Sequence, residues 1–177
     1  MSTKKTVADY IIDIPDFPEP GIIFRDITGV LNDAEGLRLA VDEMQSRLEG
    51  VEFDKIIGLE SRGFLLGMPI AYNLGKPFVP VRKVGKLPRA TIRKAYDLEY
   101  GTAEIEVHAD DIRPGEKVVI IDDLIATGGT IRAAADIVES LGAEVACMVC
   151  LLELKGLNGR AVLEKYDVKT AIQYEGK

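Results

Sequence analysis

The chain has 177 residues, 47% of them hydrophobic and 29% charged, which suits one domain with a full core and excludes bulk disorder. Its formal net charge of -7 opposes nucleic acid and acidic membrane surfaces as partners. The N-terminus is basic at Lys4 and Lys5, but Asp9 and Asp13 interrupt any apolar run after it. Neither a secretory leader nor a membrane span is therefore expected, and a reducing cytoplasmic setting is the default.

Residues 4–12 can form a short helix. Pro15, Pro18, Pro20 and Gly21 make Ile14–Gly21 a turn that cannot be helical, and Ile22–Phe24 is a short extended piece. Asp33 is the predicted N-cap of a helix over 34–49, where Leu37, Ala40, Val41, Met44 and Leu48 recur at helical spacing. Lys55–Leu59 reads as a buried strand. Residues 62–74 read as a helix stopped by Gly75 and Pro77, and Phe78–Val81 as another strand. Residues 82–101 then concentrate Arg82, Lys83, Lys86, Arg89, Arg93 and Lys94 with few apolar anchors. Alternation returns between Tyr96 and Val107, which predicts a hairpin. Val118–Ile121 is an apolar strand. The helix over 129–141 places Ile131, Ala134, Ala135, Val138 and Leu141 on one face. Further strands are expected over 143–153 and 168–174. Strands alternating with helices predict an α/β fold with a parallel sheet covered on both faces. Ligands of such sheets bind beyond the carboxyl ends of the strands, here in the loops after Leu59, Val81 and Ile121.

The two cysteines, Cys147 and Cys150, share a C-x-x-C spacing that suits redox or metal chemistry. Strand residues three apart point to opposite faces, however, and no second pair completes a zinc site, so two small core thiols are the preferred reading. His108, the sole histidine, is expected at a solvated loop or strand end rather than in catalysis.

The segment Val118–Thr130 is the most informative. Four apolar β-formers run into Asp122 and Asp123, and Ala126-Thr127-Gly128-Gly129-Thr130 then opens a helix. Backbone N–H groups at a helix start attract an anion, glycines let it approach, and two threonines add hydroxyl donors. Adjacent carboxylates buried without partners would repel, and ribose hydroxyls or a hydrated magnesium ion would relieve them. No Gly-Lys-Ser/Thr and no G-x-G-x-x-G is present, so the two common nucleotide-loop readings fall. A ribose 5-phosphate carries the required groups.

In these residues the chain resembles the type I phosphoribosyltransferases, whose 5-phosphoribosyl-1-pyrophosphate (PRPP) signature matches Val118–Thr130 in register. Phe17–Ile27, Gly58–Phe64, Val81–Pro88 and Tyr96–Gly101 extend the resemblance over most of the chain. It implies a single domain over 1–177: a mostly parallel sheet flanked by helices, with a small N-terminal hood over 1–33 and a mobile loop over 83–101. It further implies transfer of the ribosyl 5-phosphate group from PRPP to adenine, giving AMP and pyrophosphate, with Mg2+ accompanying the pyrophosphate and a homodimer as the assembly. The 5-phosphate would sit on Ala126, Thr127, Gly128, Gly129 and Thr130, with the ribose hydroxyls and possible metal contacts at Asp122 and Asp123. Ser61, Arg62, Arg82, Lys83 and Lys86 would hold the pyrophosphate. Ile23, Phe24 and Arg25 would form the adenine pocket, Glu99 would handle the N9 proton, and Tyr100 would pack over the loop. Two alternatives stay open: a related enzyme for 6-oxopurines, and a PRPP-sensing regulator without turnover. The net charge and the lack of a visible DNA-binding module speak against the regulator.

Overall fold

The computed structural model of the chain describes residues 4–98 and 101–176. A 3-10 turn at Val7–Tyr10 is closed by a capping box, in which Asp9 Oδ2 accepts from the Thr6 N–H at 2.7 Å. Strands β1 (Ile12–Pro15) and β2 (Ile23–Asp26) follow and pair antiparallel, with Ile12 opposite Asp26 and Pro15 opposite Ile23. The strand β1 corrects the expectation of an irregular piece from Ile14 onward, since Ile14 and Pro15 still belong to it. Proline is tolerated there because the pair is a free-standing, two-stranded ribbon. A short helix α1 (Thr28–Leu31) leads into α2 (Ala34–Ser46). Asp33 caps α2 as predicted, its carboxylate accepting from the Glu35 and Gly36 N–H groups, but the helix ends three residues early, at Ser46.

The main sheet takes the strands β3 (Lys55–Leu59), β4 (Phe78–Lys83), β5 (Thr91–Leu98), β6 (Gly101–His108), β7 (Lys117–Ile125), β8 (Glu144–Leu154) and β9 (Val168–Tyr174). Their order is β5-β6-β4-β3-β7-β8-β9, parallel from β4 to β9, with the β5–β6 hairpin antiparallel at one edge. Helix α3 (Arg62–Leu74) lies between β3 and β4, and α4 (Gly129–Ser140) between β7 and β8. Gly75 adopts the left-handed conformation that ends α3.

Alternate residues of the central strands enter opposite cores. Ile56, Val119, Ile121 and Cys147 pack with α2 and α3, whereas Ile57, Val118, Ile120 and Cys150 pack with α4. Both cysteines are buried and free, one in each core. His108 ends β6 but is buried rather than solvated, and its Nδ1 has no hydrogen-bond partner among the described residues. It shares its face of β6 with the buried Glu106, opposite the core-facing Ile105 and Val107.

Several strands differ from their predicted extents, and β4 runs two residues past Val81, to Lys83. The strand β7 continues through both acids to Ile125, so the loop after it starts at Ala126. The strand β5 starts at Thr91, five residues before the alternation at Tyr96. Its charged side chains find partners on neighbouring elements: Lys94 pairs with Asp136 of α4 at 3.2 Å, and Arg93 with Glu106 of β6 at 3.3 Å. Among the described residues, no helix is long and apolar enough to cross a membrane.

Candidate active site

The carboxyl ends of β3, β4 and β7 meet at one edge of the sheet. There Glu60, Ser61, Arg62, Lys83, Tyr96, Asp122, Asp123, Leu124 and Thr130 line a polar cavity of about 360 Å3. A smaller hollow of about 80 Å3 adjoins it, lined by Asp122, Leu124 and the loop Ala126–Thr130. Ser61, Arg62, Lys83, both acids and the whole Ala126–Thr130 segment are thereby brought to a single site. These residues come from the ends of three strands and the segments that follow them, far apart in sequence.

The acid pair is held asymmetrically. Asp123 is buried, and its Oδ2 accepts from Arg62 Nε at the first position of α3. Asp122 turns its Oδ1 back to accept the Asp123 N–H at 2.9 Å. Burial pushes the Asp122 carboxyl well above the usual aspartate range, the neighbouring Asp123 charge adds to the rise, and Arg62 opposes it. The start of α3 rests directly on β7: a Cβ at Gly63 would stand 2.9 Å from the Ile121 carbonyl oxygen and 3.0 Å from Asp122 Oδ1. Only glycine allows that approach, and it is what brings Arg62 within reach of Asp123.

The loop Ala126–Gly129 offers donors. Gly128 is the N-cap of α4 with a φ of 80° and supplies no side-chain cap. The first N–H groups of α4 thus remain available to an anion, which the helix dipole also favours.

On the other side, Glu60 organises the cationic strand end. Its Oε2 accepts the Lys83 N–H at 2.8 Å and Arg82 Nε at 3.2 Å, while Oε1 accepts Arg82 Nη2 at 3.4 Å. Burial alone would raise this carboxyl, but the Lys83 N–H and the Arg82 guanidinium hold it below the ordinary range. The peptide between Glu60 and Ser61 is cis. Glu106, fully buried on β6, anchors the turn that follows β4 in the same way. Its Oε1 accepts three successive N–H groups, from Gly85, Lys86 and Leu87, at 2.9, 3.0 and 3.0 Å. Burial is again the largest influence and would raise the carboxyl; these donors and Thr91 outweigh it and lower it.

The remaining expected residues lie elsewhere. Arg82 is engaged by Glu60, and Lys86 is exposed on the turn anchored by Glu106. Ile23, Phe24 and Arg25 stand on β2 in the N-terminal ribbon, outside the lining of this cavity. Phe24 meets Phe17 edge-on at 5.4 Å between ring centres. Arg25 pairs with Asp13 and lies 4.0 Å over the Tyr174 ring. The ribbon nonetheless senses the site, because Asp26 lies within electrostatic reach of Arg62. Glu99 and Tyr100 fall outside the described residues. Sequence reading passed over Glu60, Tyr96, Leu124 and Glu106. An acid directly following an apolar strand was the available signal for Glu60; nothing in the alternation of β6 marks Glu106 as the acid that faces inward.

A carboxyl raised in the folded state binds its proton more tightly there than in the unfolded chain. Its ionisation therefore removes stability as pH climbs from the ordinary aspartate range through the raised value. We expect Asp122→Asn to be more stable than the parent at neutral pH, with the difference vanishing near pH ~4. Urea unfolding midpoints at the two pH values check the difference; an Asn variant less stable at neutral pH contradicts it.

A model of the phosphoribosyl transferase domain matches residues 33–175. Among the relatives is an adenine phosphoribosyltransferase of Agathobacter rectalis, 65% identical over 173 residues that cover 98% of this chain and 99% of the relative. The crystal structure of adenine phosphoribosyltransferase from Thermoanaerobacter pseudethanolicus is 50% identical and superposes with a TM-score of 0.92 over 95% of this chain and 98% of that one. The enzyme of Saccharomyces cerevisiae, complexed with an imino-altritol bisphosphate and adenine, is 38% identical with a TM-score of 0.89 over 93% and 96% of the two chains. The domain match begins at the N-cap of α2, whereas the relatives also match the ribbon before it. Fold, site and likeness agree, and the chain belongs to the phosphoribosyltransferase family, on its adenine phosphoribosyltransferase branch.

Proposed function

We propose that the chain catalyses the reaction of adenine with PRPP to give AMP and pyrophosphate, a purine-salvage step. The observation that carries this reading is the meeting, at one edge of the sheet, of an uncapped glycine loop, two carboxylates and cations from the start of α3 and the end of β4. A phosphate, a ribose and a leaving pyrophosphate need these three kinds of group side by side.

In this reading the N–H groups and hydroxyls of Ala126, Thr127, Gly128, Gly129 and Thr130 hold the 5-phosphate, and Asp122 and Asp123 accept from the ribose hydroxyls. Ser61, Arg62 and Lys83 face the pyrophosphate. Arg82 and Lys86 join them by turning from Glu60 and from the turn over Glu106. Adenine N9 attacks the anomeric carbon as the bond to pyrophosphate breaks; pyrophosphate leaves with the electron pair, and cations around it lower the barrier. Glu99 takes the N9 proton. The segment 83–101, with Tyr100, closes over the ligands and keeps water from the cationic anomeric carbon. Ile23, Phe24 and Arg25 form the adenine pocket. A backbone acceptor facing the 6-amino group rejects a 6-oxo purine, because an unpaired buried polar atom is costly.

The donor chemistry fits magnesium: Asp122 and Asp123 present hard oxygens at the cavity, as a partly hydrated Mg2+ requires. When bound, the ion neutralises charge on the pyrophosphate. We assign the chain to a homodimer on the strength of α3, where Leu65, Met68 and Tyr72 repeat at helical spacing and are 51%, 50% and 85% exposed. A reducing compartment, the cytoplasm, suits its two free thiols.

Three measurements test these assignments. With PRPP and magnesium, the protein should form AMP from adenine and little nucleotide from hypoxanthine or guanine; absence of AMP removes the reading. Glu99→Gln should lower kcat by about 10²–10⁴-fold, the range of a general base, with PRPP affinity kept; full activity takes Glu99 out of proton transfer. Tyr72→Glu should shift the sedimenting species from dimer to monomer, and an unchanged dimer excludes this face of α3.

A further inference from the structure

The loop Ala126–Gly129 has a back as well as a front. Behind it lie two 3-10 turns, Lys155–Leu157 and Gly159–Leu163, which the sequence did not announce. Gly159 presses against the loop: a Cβ there would collide with the Ala126 carbonyl oxygen and stand 2.8 Å from Ile125 Cγ2 and 3.1 Å from the Gly128 nitrogen. The contact is reciprocal. A Cβ at Gly128 would stand 2.5 Å from the Gly159 carbonyl oxygen and 2.8 Å from Val162 Cγ2. Two glycine backbones therefore stack with no room for a methyl group on either side.

The next residue fixes this stack to the sheet. Arg160 forms a bidentate pair with Glu153 of β8, Nε to Oε1 at 2.7 Å and Nη2 to Oε2 at 2.9 Å, and donates from Nη1 to the Val168 carbonyl at 2.9 Å. Glu153 is only 4% exposed and also accepts from Thr170 Oγ1 at 3.1 Å and Gln173 Nε2 at 3.3 Å. A bidentate guanidinium over a buried carboxylate is directional, so the turn it holds has one position relative to β8. Arg132 of α4 adds a tie from the other side, Nη1 to the Val162 carbonyl at 3.1 Å.

We propose that Gly159, fixed by the Glu153–Arg160 pair, is a positioning residue for 5-phosphate binding: it sets the height of the Ala126–Gly129 backbone and so aims the N–H groups at the phosphate. The proposal rests on the assignment of the 5-phosphate to that loop. A methyl group at position 159 would push the loop toward the ligand and misdirect several donors together, leaving the base and pyrophosphate sites untouched.

The test uses the full chain and ribose 5-phosphate as the calorimetric probe. Gly159→Ala should weaken ribose 5-phosphate by about tenfold, the loss of a few helix-terminus contacts, and raise the KM for PRPP in step, while the KM for adenine and kcat at saturation stay close to those of the parent. Unchanged affinity, or equal losses for ribose 5-phosphate and adenine, overturns the proposal. Should Gly159→Ala fail to fold, Arg160→Lys decides. It keeps the charge but not the bidentate geometry, and a selective weakening of the probe by about threefold or more is then expected; unchanged or unselective affinity again overturns it. Thr127→Val separates this idea from its premise. If Thr127→Val weakens the probe and the other variants do not, the positioning role falls alone; if none of them does, the loop is not the phosphate site.

Discussion

Two carboxylates stand at the end of a strand that is packed on both faces, and one guanidinium answers them. Charge placed there is expensive, since desolvation is repaid only by close partners. Arg62 engages Asp123, while Asp122 is left with a backbone N–H. Most of what surrounds the cavity follows from this imbalance. The glycine at the second position of α3 exists so that Arg62 can come down onto β7, and the uncapped start of α4 lies directly beyond the acids. A site built this way presents carboxylate oxygens in one half and the N–H groups of a helix start in the other. It also encloses, in Asp122, a carboxyl that burial pushes well above the usual aspartate range, so its ionisation lowers the stability of the fold.

A second theme is the use of buried or half-buried acids as loop anchors. Glu60, Glu106 and Glu153 each carry a neighbouring segment: the Lys83 backbone, the Gly85–Leu87 turn, and the turn behind the Ala126–Gly129 loop. The first two of these segments have few apolar side chains to bury, so hydrogen bonds to a carboxylate take the place of a hydrophobic contact, whereas the third also buries Leu163. The acidic surplus of the chain is thus partly interior framework.

The parallel core was legible because its signals are local. Lys55–Leu59 and Val168–Tyr174 are apolar or β-branched runs, and Arg62–Leu74 is an apolar helix with a glycine stop; all three appear with the predicted bounds. What escaped depends on distant partners. The strand β5 looked like a charged loop because its lysine and arginine are satisfied across space by Asp136 and Glu106. The strand β7 was cut short at Asp122 because an acid reads as a strand end, although its pairing with β8 continues to Ile125. The loop Ala126–Thr130, the acids, Ser61, Arg62 and Lys83 were found from residue type and resemblance, and the fold draws them into two adjoining hollows. The support behind them was invisible: no pattern says that Gly159 will face Gly128, or that Glu153 and not a neighbouring acid will be enclosed.

The cysteines of β8 offer a use unrelated to catalysis. Burial pushes the Cys147 thiol up to about 11 and that of Cys150 up as well, so neither is a ready nucleophile while the sheet is covered. Each belongs to a different core, Cys147 beneath α2 and α3 and Cys150 beneath α4. A thiol reagent would therefore act as a pair of chemical clocks, one timing the lifting of each helical layer from the sheet.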